Sequence, residues 1–386
     1  MAQNVATNLD EGSLPPPGTP PGQPPGQPDA RPPVSLFRKR VRKFRALKRG
    51  YYSFLILTLA YAVSFLLPIL INDHALLVRY EGRFYFPLFQ YYPASQFGQD
   101  AFGEPNYRQM AESFREANNG NWAILPLYPY SATESLLDLA GFPPHAPSRE
   151  HIFGTDDRAR DIFARLAYGF NVSMTFALLV LALSYVIGIA VGAALGYFGG
   201  KLDILGQRVI EVWSSLPFLY TIIIVSSIVV PIYLPGRNLL LQPSFWMLIF
   251  IMTVFDWMGI TYYVRGEFYR EKAKDYVGAA IAMGASDRAI MFQHILPNSL
   301  TPVVSFAPFI VVGNIGALVA LDFLGFGLPA PTPSWGELIG QGMENLTKWW
   351  LVFLPLTAMF VTLLLIVFIG EAVREAFDPK QFSRLR

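Results

Sequence analysis

The sequence predicts an all-α integral membrane protein, a bundle of six spanning helices with a cap outside the membrane. Three observations support it. The 386-residue chain is 53% hydrophobic and only 15% charged, a balance that ordinary soluble domains of this length do not show. Its apolar residues gather into six runs, near 51–71, 171–197, 210–233, 245–264, 302–321 and 351–370. Each approaches or exceeds the roughly 20 residues a helix needs to cross a hydrocarbon core of about 30 Å. A β-barrel would show short alternating segments instead, so helices are the spanning structure that fits.

The first segment, 1–36, contains Leu14–Val34, LPPPGTPPGQPPGQPDARPPV. It is too rich in Pro and Gly to pack a core, and the expectation is a disordered cytoplasmic tail. The second, 37–71, joins a basic run to the first span. Arg38, Lys39, Arg40, Arg42, Lys43, Arg45, Lys48 and Arg49 resist translocation, which keeps the N-terminus in the cytoplasm. They can also meet anionic lipid headgroups, at about 1 kcal/mol per side chain. The leader is too long and polar for a cleaved secretory signal, so the first span reads as a permanent anchor. Six spans return the tail 376–386, with Lys380, Arg384 and Arg386, to the same side. The chain has no cysteine, which removes disulfides and thiol chemistry.

Residues 72–168 then lie outside as a periplasmic cap. LLVRYEGRFYFPLFQYYP alternates aromatic and polar residues, and NNGNWAILPLYPYSATESL is interrupted by prolines, a pattern of short strands and turns. At its end, HIFGTDDRARDIFARLAYG predicts a short interfacial helix capped by Thr155 or Asp156. Asp161 and Arg165 are expected to pair at i,i+4, and the charges to form a solvated cluster.

The core, 169–375, holds five spans. In the second span Ser184, Gly188, Gly192 and Gly196 recur every four residues, one face on which a neighbouring helix can approach closely. Pro217 is expected to kink or interrupt the third span. Asp256 and Asn314 are polar inside spans, where polar groups are costly and often line a water-filled path. These three are the candidate pathway residues. Gly199, Gly200 and Lys201 lack the remainder of a phosphate-binding loop, since Leu202 follows the lysine. The four histidines, His74, His145, His151 and His294, are scattered. Neither catalysis, a metal, a cofactor nor a nucleic acid partner is expected of this chain.

The most informative stretch is the cytoplasmic loop 265–300 between spans four and five. Glu271–Met283 favours helix and ends at Gly284, whose missing Cβ permits a sharp turn. Ser286 can cap a second helix with Asp287 in its first turn, Ile290, Met291, His294 and Ile295 form one side, and Pro297 is expected to stop it. Two short helices at an angle make a plausible key for a groove in a soluble partner.

This stretch resembles the coupling loop of binding-protein-dependent ABC importers, whose pattern runs roughly EAA, three residues, Gly, nine residues, then Ile-x-Leu-Pro. Ala279, Ala280, Gly284, Ile295, Leu296 and Pro297 answer to it, while Gly278 replaces the family's acidic residue. GTDDRARDIFARLAYG is similar to the peptide-permease pattern GTDxxGRDxxSRxxxG, with Ala159 and Ala164 as departures, and Leu321–Ile339, LDFLGFGLPAPTPSWGELI, resembles that subfamily's last external loop. The resemblance implies the type I permease fold and a non-catalytic subunit that moves oligopeptides, or peptide antibiotics such as microcin C, across a bacterial inner membrane. Its implied partners are a homologous second permease, two ABC ATPase subunits or one fused ATPase that hold ATP and Mg, a periplasmic peptide-binding protein, and membrane lipid. The implied ATPase contact comprises Gly278, Ala279, Ala280, Gly284, Asp287, Ile290, Leu296 and Pro297. A receptor or sensor would require an output domain, and a secondary transporter would require coupling-ion residues and a repeat. Both rank behind the importer.

Overall fold

A computed structural model describes residues 36–100, 102–228 and 244–378. The Pro-rich tail apart from Leu36, residues 229–233 of the predicted third span and the last eight residues of the C-terminal tail lie outside the described residues. The described chain is mostly helical, with four helices long and apolar enough to cross a membrane, or five if one bent pair counts as a single span.

Helix α1, Leu36–Ala46, carries the basic run, and α2, Lys48–Ser64, follows after a one-residue break. At 17 residues α2 is shorter than the predicted first span; a turn and the short α3, Leu67–Leu70, take up its remainder. Pro68 lies at the start of α3, where its missing N–H needs no partner.

The cap has a compact core. Strands β1 (Leu77–Tyr80), β2 (Arg83–Tyr85) and β3 (Trp122–Ile124) form an antiparallel sheet in the order β2-β1-β3. The hairpin turns at Glu81 and Gly82, both at positive φ (50° and 76°), the backbone a two-residue hairpin requires. Helix α4, Tyr107–Ala117, is capped by Asn106, which accepts from the N–H of Arg108 at 3.1 Å and of Gln109 at 3.2 Å. Its Tyr107, Met110 and Phe114 pack with Val78 and Phe97. Arg108 tethers this unit to Glu134 and to the Pro129 carbonyl at 2.7 Å.

His74 lies in the cap between Asp73, at 3.0 Å, and Glu104, at 2.7 Å. The hydrogen bond to Asp73 favours imidazolium most, burial opposes it, and the charges of Asp73 and Glu104 add to the first effect. The imidazole is thereby raised to about 9 from its ordinary 6.5. A raised value stabilises the folded cap fully below pH 6.5, and the contribution is lost as pH rises through about 9. Histidine-labelled NMR of the full chain in nanodiscs, with His74→Gln to assign the signal, should give a midpoint near 9; an ordinary midpoint would refute the pairing.

The membrane core is built on α5, Ile162–Phe198, α8, Phe245–Lys272, α11, Leu296–Phe323, and α13, Trp349–Phe377. The expected separate interfacial helix is absent: residues 155–161 form turns, and Ile162 onward is the first turns of α5, capped by Asp161 in place of Thr155 or Asp156, with Asp161 accepting from the Ala164 N–H at 2.9 Å. Small residues let α5 approach α8 closely. A Cβ at Gly188 would lie 2.2 Å from Ile260 Cγ2 and 2.6 Å from the Trp257 carbonyl, and one at Gly192 would lie 2.7 Å from the Thr261 carbonyl. Gly188→Val should therefore destabilise the bundle by about 1–3 kcal/mol of overpacking, read as a loss of thermostability in detergent; an unchanged melting profile would contradict this contact.

Pro217 interrupts the third run, as expected. Helices α6, Gly200–Ser214, and α7, Phe218–Ile228, meet at a 76° bend on either side of Ser215–Pro217. Large apolar residues on the outer faces of α5 and α13, such as Val186, Ile187, Phe353 and Phe360, are exposed, as helices facing lipid or other spanning helices require.

Candidate coupling surface and its neighbours

The loop after α8 forms the first of the two predicted short helices, with different boundaries, while the second is only the start of a longer helix. Helix α8 ends at Lys272, and a break at Ala273 and Lys274 precedes α9, Asp275–Ala282. The buried Glu271 carboxylate organises this break, accepting from Lys274 Nζ at 2.7 Å and from the Tyr276 hydroxyl at 2.9 Å. Gly284 adopts φ +79°, and the Ala285 N–H reaches back to the Ala280 carbonyl at 3.1 Å, a glycine-dependent helix end. Ser286 then caps α10, Asp287–Ala289, accepting from the Ala289 N–H at 3.3 Å.

Pro297 does not stop this helix. Residues Asp287–Phe323 run as one helix through a π-helical stretch, Ile290–Ile295, and into α11. The wider turn accommodates a residue that has no N–H to return to the preceding turn. The short α10 and the long helix α11 are therefore one rod, while α9 joins it through the turn at Gly284.

The eight predicted contact residues divide by exposure. Gly278, Ala279, Gly284, Asp287 and Pro297 are exposed, and Leu296 is half-buried. Ala280 and Ile290 point inward at 2% exposure each, packed with Val264, Phe268, Val277, Met291 and Ile295. They hold the two short helices against α8 and do not present themselves to a partner. Asp287 is also tied: the Tyr197 hydroxyl at the end of α5 donates to its Oδ1 at 2.6 Å. Lys272 Nζ donates to the Tyr197 carbonyl at 2.5 Å, so the loop is braced to α5 as well as α8.

Three residues outside the predicted set complete the exposed apolar surface: Ile281 at 53%, Met283 at 81% and Phe292 at 51%. Beside them a cleft of about 450 Å³ is lined by Ser286, Arg288, Ala289, Phe292 and Gln293. A signal for them existed in the sequence, since large apolar residues in a polar loop need a reason. The facing side of the helix could not be assigned without the fold. Position 278 opens onto free space, with no atom within 4 Å of an added Cβ.

Asp256 and Asn314 are brought together. Asp256 on α8 lies against the Ser184 hydroxyl of α5 and the Asn314 amide of α11, with Ser184 Oγ, Asn314 Nδ2 and Asp256 Oδ2 short of hydrogen-bond contact. Pro217 is apart from this junction, at the α6/α7 bend. A further clamp was not foreseen: Arg265 on α8 grips both carboxylate oxygens of Asp203 on α6, at 2.5 and 2.6 Å, while the Tyr269 hydroxyl donates to Asp203 at 2.7 Å.

On the opposite side, the predicted solvated charge cluster is buried. Asp161 does not pair with Arg165; besides capping α5 it accepts from the Tyr128 hydroxyl at 2.6 Å, with His151 Nδ1 at 2.9 Å. Arg165, fully buried, meets Glu337 at 2.5 Å and the Ala132 carbonyl at 3.1 Å. Arg160 meets Asp156 at 2.7 Å and Glu337 at 2.9 Å. Glu337 lies on α12, Trp335–Glu344, whose Trp335 donates to the Leu166 carbonyl at 3.1 Å. Burial raises the Glu337 carboxyl, but Arg165, Arg160 and Arg158 outweigh it and hold the group below its ordinary value of 4.5.

Among known proteins, residues 184–383 match the family described as binding-protein-dependent transport system inner membrane component. The inner membrane ABC transporter permease protein YejE of Escherichia coli (strain K12) is 41% identical over 342 residues, 89% of this chain and 96% of that protein. The peptidoglycan transport system permease protein YejE of Agrobacterium fabrum is 37% identical over 373 residues, 90% of this chain and 94% of that protein. The oligopeptide transport system permease protein OppC of Lactococcus lactis subsp. lactis is 36% identical over 237 residues, 61% of this chain and 77% of that protein. With apolar helices of spanning length, a shared family pattern across its second half and relatives along most of its length, the chain belongs to the family of binding-protein-dependent ABC transporter permeases, multi-pass proteins of the inner membrane.

Proposed function

We propose that this chain is one of two homologous permease subunits of an ABC importer that moves peptides into the cell. The single observation that carries the coupling part of this reading is the exposed surface Gly278, Ala279, Ile281, Met283 and Gly284 on α9 and its closing turn, joined through Ala285 and Ser286 to the helix Asp287–Phe323 that continues into α11. In this reading α2 is the first of six spans and the α6/α7 pair the third, which places both termini and the coupling surface in the cytoplasm and the cap in the periplasm. ATP and Mg bind to partner ATPase subunits, whose closure pushes on α9 and α10. The rod Asp287–Phe323 and the braces to α5 and α8 transmit that push, and the permease pair alternates between outward-open and inward-open states. Asp256 and Asn314 line or gate the route, and the α6/α7 break at Pro217 supplies an adaptable element. A periplasmic binding protein delivers the cargo to the cap side.

Oligopeptides are the cargo class, with peptide antibiotics carried on the same basis. The peptidoglycan named for one relative favours a second reading within that class, peptides still joined to cell-wall sugars. Mild-detergent purification of the chain from its native membrane, followed by mass spectrometry, should recover a second permease and ABC ATPases. Recovery of the chain alone, under conditions that preserve a control ABC complex, would overturn the reading. Uptake of a labelled tripeptide, competed by a sugar-linked peptide, separates the two cargoes.

A further inference from the structure

At the cytoplasmic end of the bundle, as the orientation above places it, the basic helix α1 lies across α11 and α13. Arg40 stacks over the Phe377 ring with its guanidinium carbon 4.8 Å from the centroid, and its Nη2 donates to Thr301 Oγ1 at 3.4 Å. Lys43 Nζ donates to the Glu375 carbonyl at 2.6 Å. Beside this bridge is an open cleft of about 470 Å³ between α11 and α13. Phe306, Phe309 and Phe377 form an apolar wall, while Thr301, Ser305 and Arg374 contribute polar groups. Close packing at Gly370, where an added Cβ would lie 2.9 Å from Phe309 Cζ, seats the two helices against one another at the cleft.

We infer that this cleft binds one anionic phospholipid, its phosphate held by Arg40 and Arg374 and the start of an acyl chain laid along the three phenylalanines. The cleft is at the level where spanning helices leave the bilayer, with aromatic surface on one side and guanidinium groups on the other, which is the division a phospholipid has within itself. Arg40 uses one weak hydrogen bond on Thr301, which leaves most of a guanidinium's five donors for phosphate oxygens. Lys39 on α1, and Lys48 and Arg49 on α2, are exposed around the same end and concentrate anionic lipid there. Asp378, the acid in the lining, opposes an anion there, and the Arg40 and Arg374 guanidinium groups are the opposing positive charges.

The site is independent of what the coupling surface docks with, although it rests on the orientation. The full-length chain, purified with the subunits it retains and placed in nanodiscs of phosphatidylcholine with a minor share of phosphatidylglycerol, should retain one phosphatidylglycerol in native mass spectrometry. The Arg40→Gln/Arg374→Gln pair should lower that retention at least about tenfold. Ser305→Trp, which fills the cleft without removing a charge, should do the same. Arg42→Gln/Arg45→Gln, on the exposed side of α1, should leave the bound lipid in place. Millimolar inorganic phosphate should not displace it, because the phenylalanine wall selects a chain as well as an anion. Equal retention of the two lipids, loss of the anionic lipid only in the Arg42/Arg45 variant, displacement by inorganic phosphate, or a cleft covered by a segment of a co-purifying permease would each overturn the assignment.

Discussion

Gly284→Arg should leave the chain inserted in the membrane and lower ATP-driven peptide uptake on the order of tenfold or more, equivalent to about 1.4 kcal/mol or more at the contact. Gly284 sits at φ +79° with no atom within 4 Å of an added Cβ. A side chain there meets no clash, yet a non-glycine residue in that backbone region costs about 1–2 kcal/mol. The strain falls on the turn that sets α9 against α10, and the guanidinium projects beside Met283 and Ile281, the exposed apolar residues of the surface. Interfaces concentrate their energy in a few such buried anchors. Gly284→Ala keeps the strain without the bulk, so its smaller loss measures how much of the effect is conformational. Uptake by Gly284→Arg within twofold of the parent, with equal protein in the membrane, would remove Gly284 from the proposed contact. Gly278→Glu is the complementary variant: open space at 278 accommodates the acid usual in the family, and assembly with the ATPases should be retained.

Glu337→Leu should have the largest effect on stability, about 3 kcal/mol. Removing one partner of a buried ion pair typically costs about 3–5 kcal/mol, because the other charge is left buried and unpaired. Here the carboxylate serves Arg165 and Arg160 together, and the lower end of that range applies because both guanidiniums keep Asp156, 2.7 Å from Arg160 and 3.5 Å from Arg165, and the Glu337 side chain is 23% exposed. Arg165→Met alone should cost less, since Glu337 keeps Arg160, and Glu337→Leu/Arg165→Met should recover part of the single-variant loss. Thermal unfolding of the purified chain in detergent measures all three. The pH dependence has a definite sign. Because the folded-state Glu337 carboxyl is depressed, its stabilisation is fully present above its ordinary 4.5 and is lost as pH falls through the depressed value. A Glu337→Leu chain as stable as the parent at pH 7 would show that the cluster does not hold α12 to α5.

Much of the architecture was legible because it follows from local composition. Long apolar runs demand helices in lipid, and the glycine at 284, the serine at 286 and the proline at 217 act through their own backbone or side-chain chemistry on adjacent residues. Each does in the structure what its residue type implies. Pro297 did not, because a π-helical turn one step earlier, which buries Ile290, Met291 and Ile295, absorbs the missing N–H. The charges of the segment 151–165 misled for a related reason. Interleaved acids and arginines look the same in sequence whether solvated or buried, and the partner that buries them, Glu337, is 172 residues from Arg165.

What the sequence by itself determined is a helical membrane protein, a coupling-like loop with a glycine turn, and the family to which both belong. Tertiary structure alone decided which side of that loop faces outward. Ala280 matches the family pattern as well as Ala279 does, yet only packing on α8 shows that Ala280, like Ile290, is core. Tertiary structure also decided that Asp256, Ser184 and Asn314 meet, and that Arg165 pairs with Glu337. Both are distant in sequence, and pairing between distant groups depends on how whole helices dock, which no local spacing encodes.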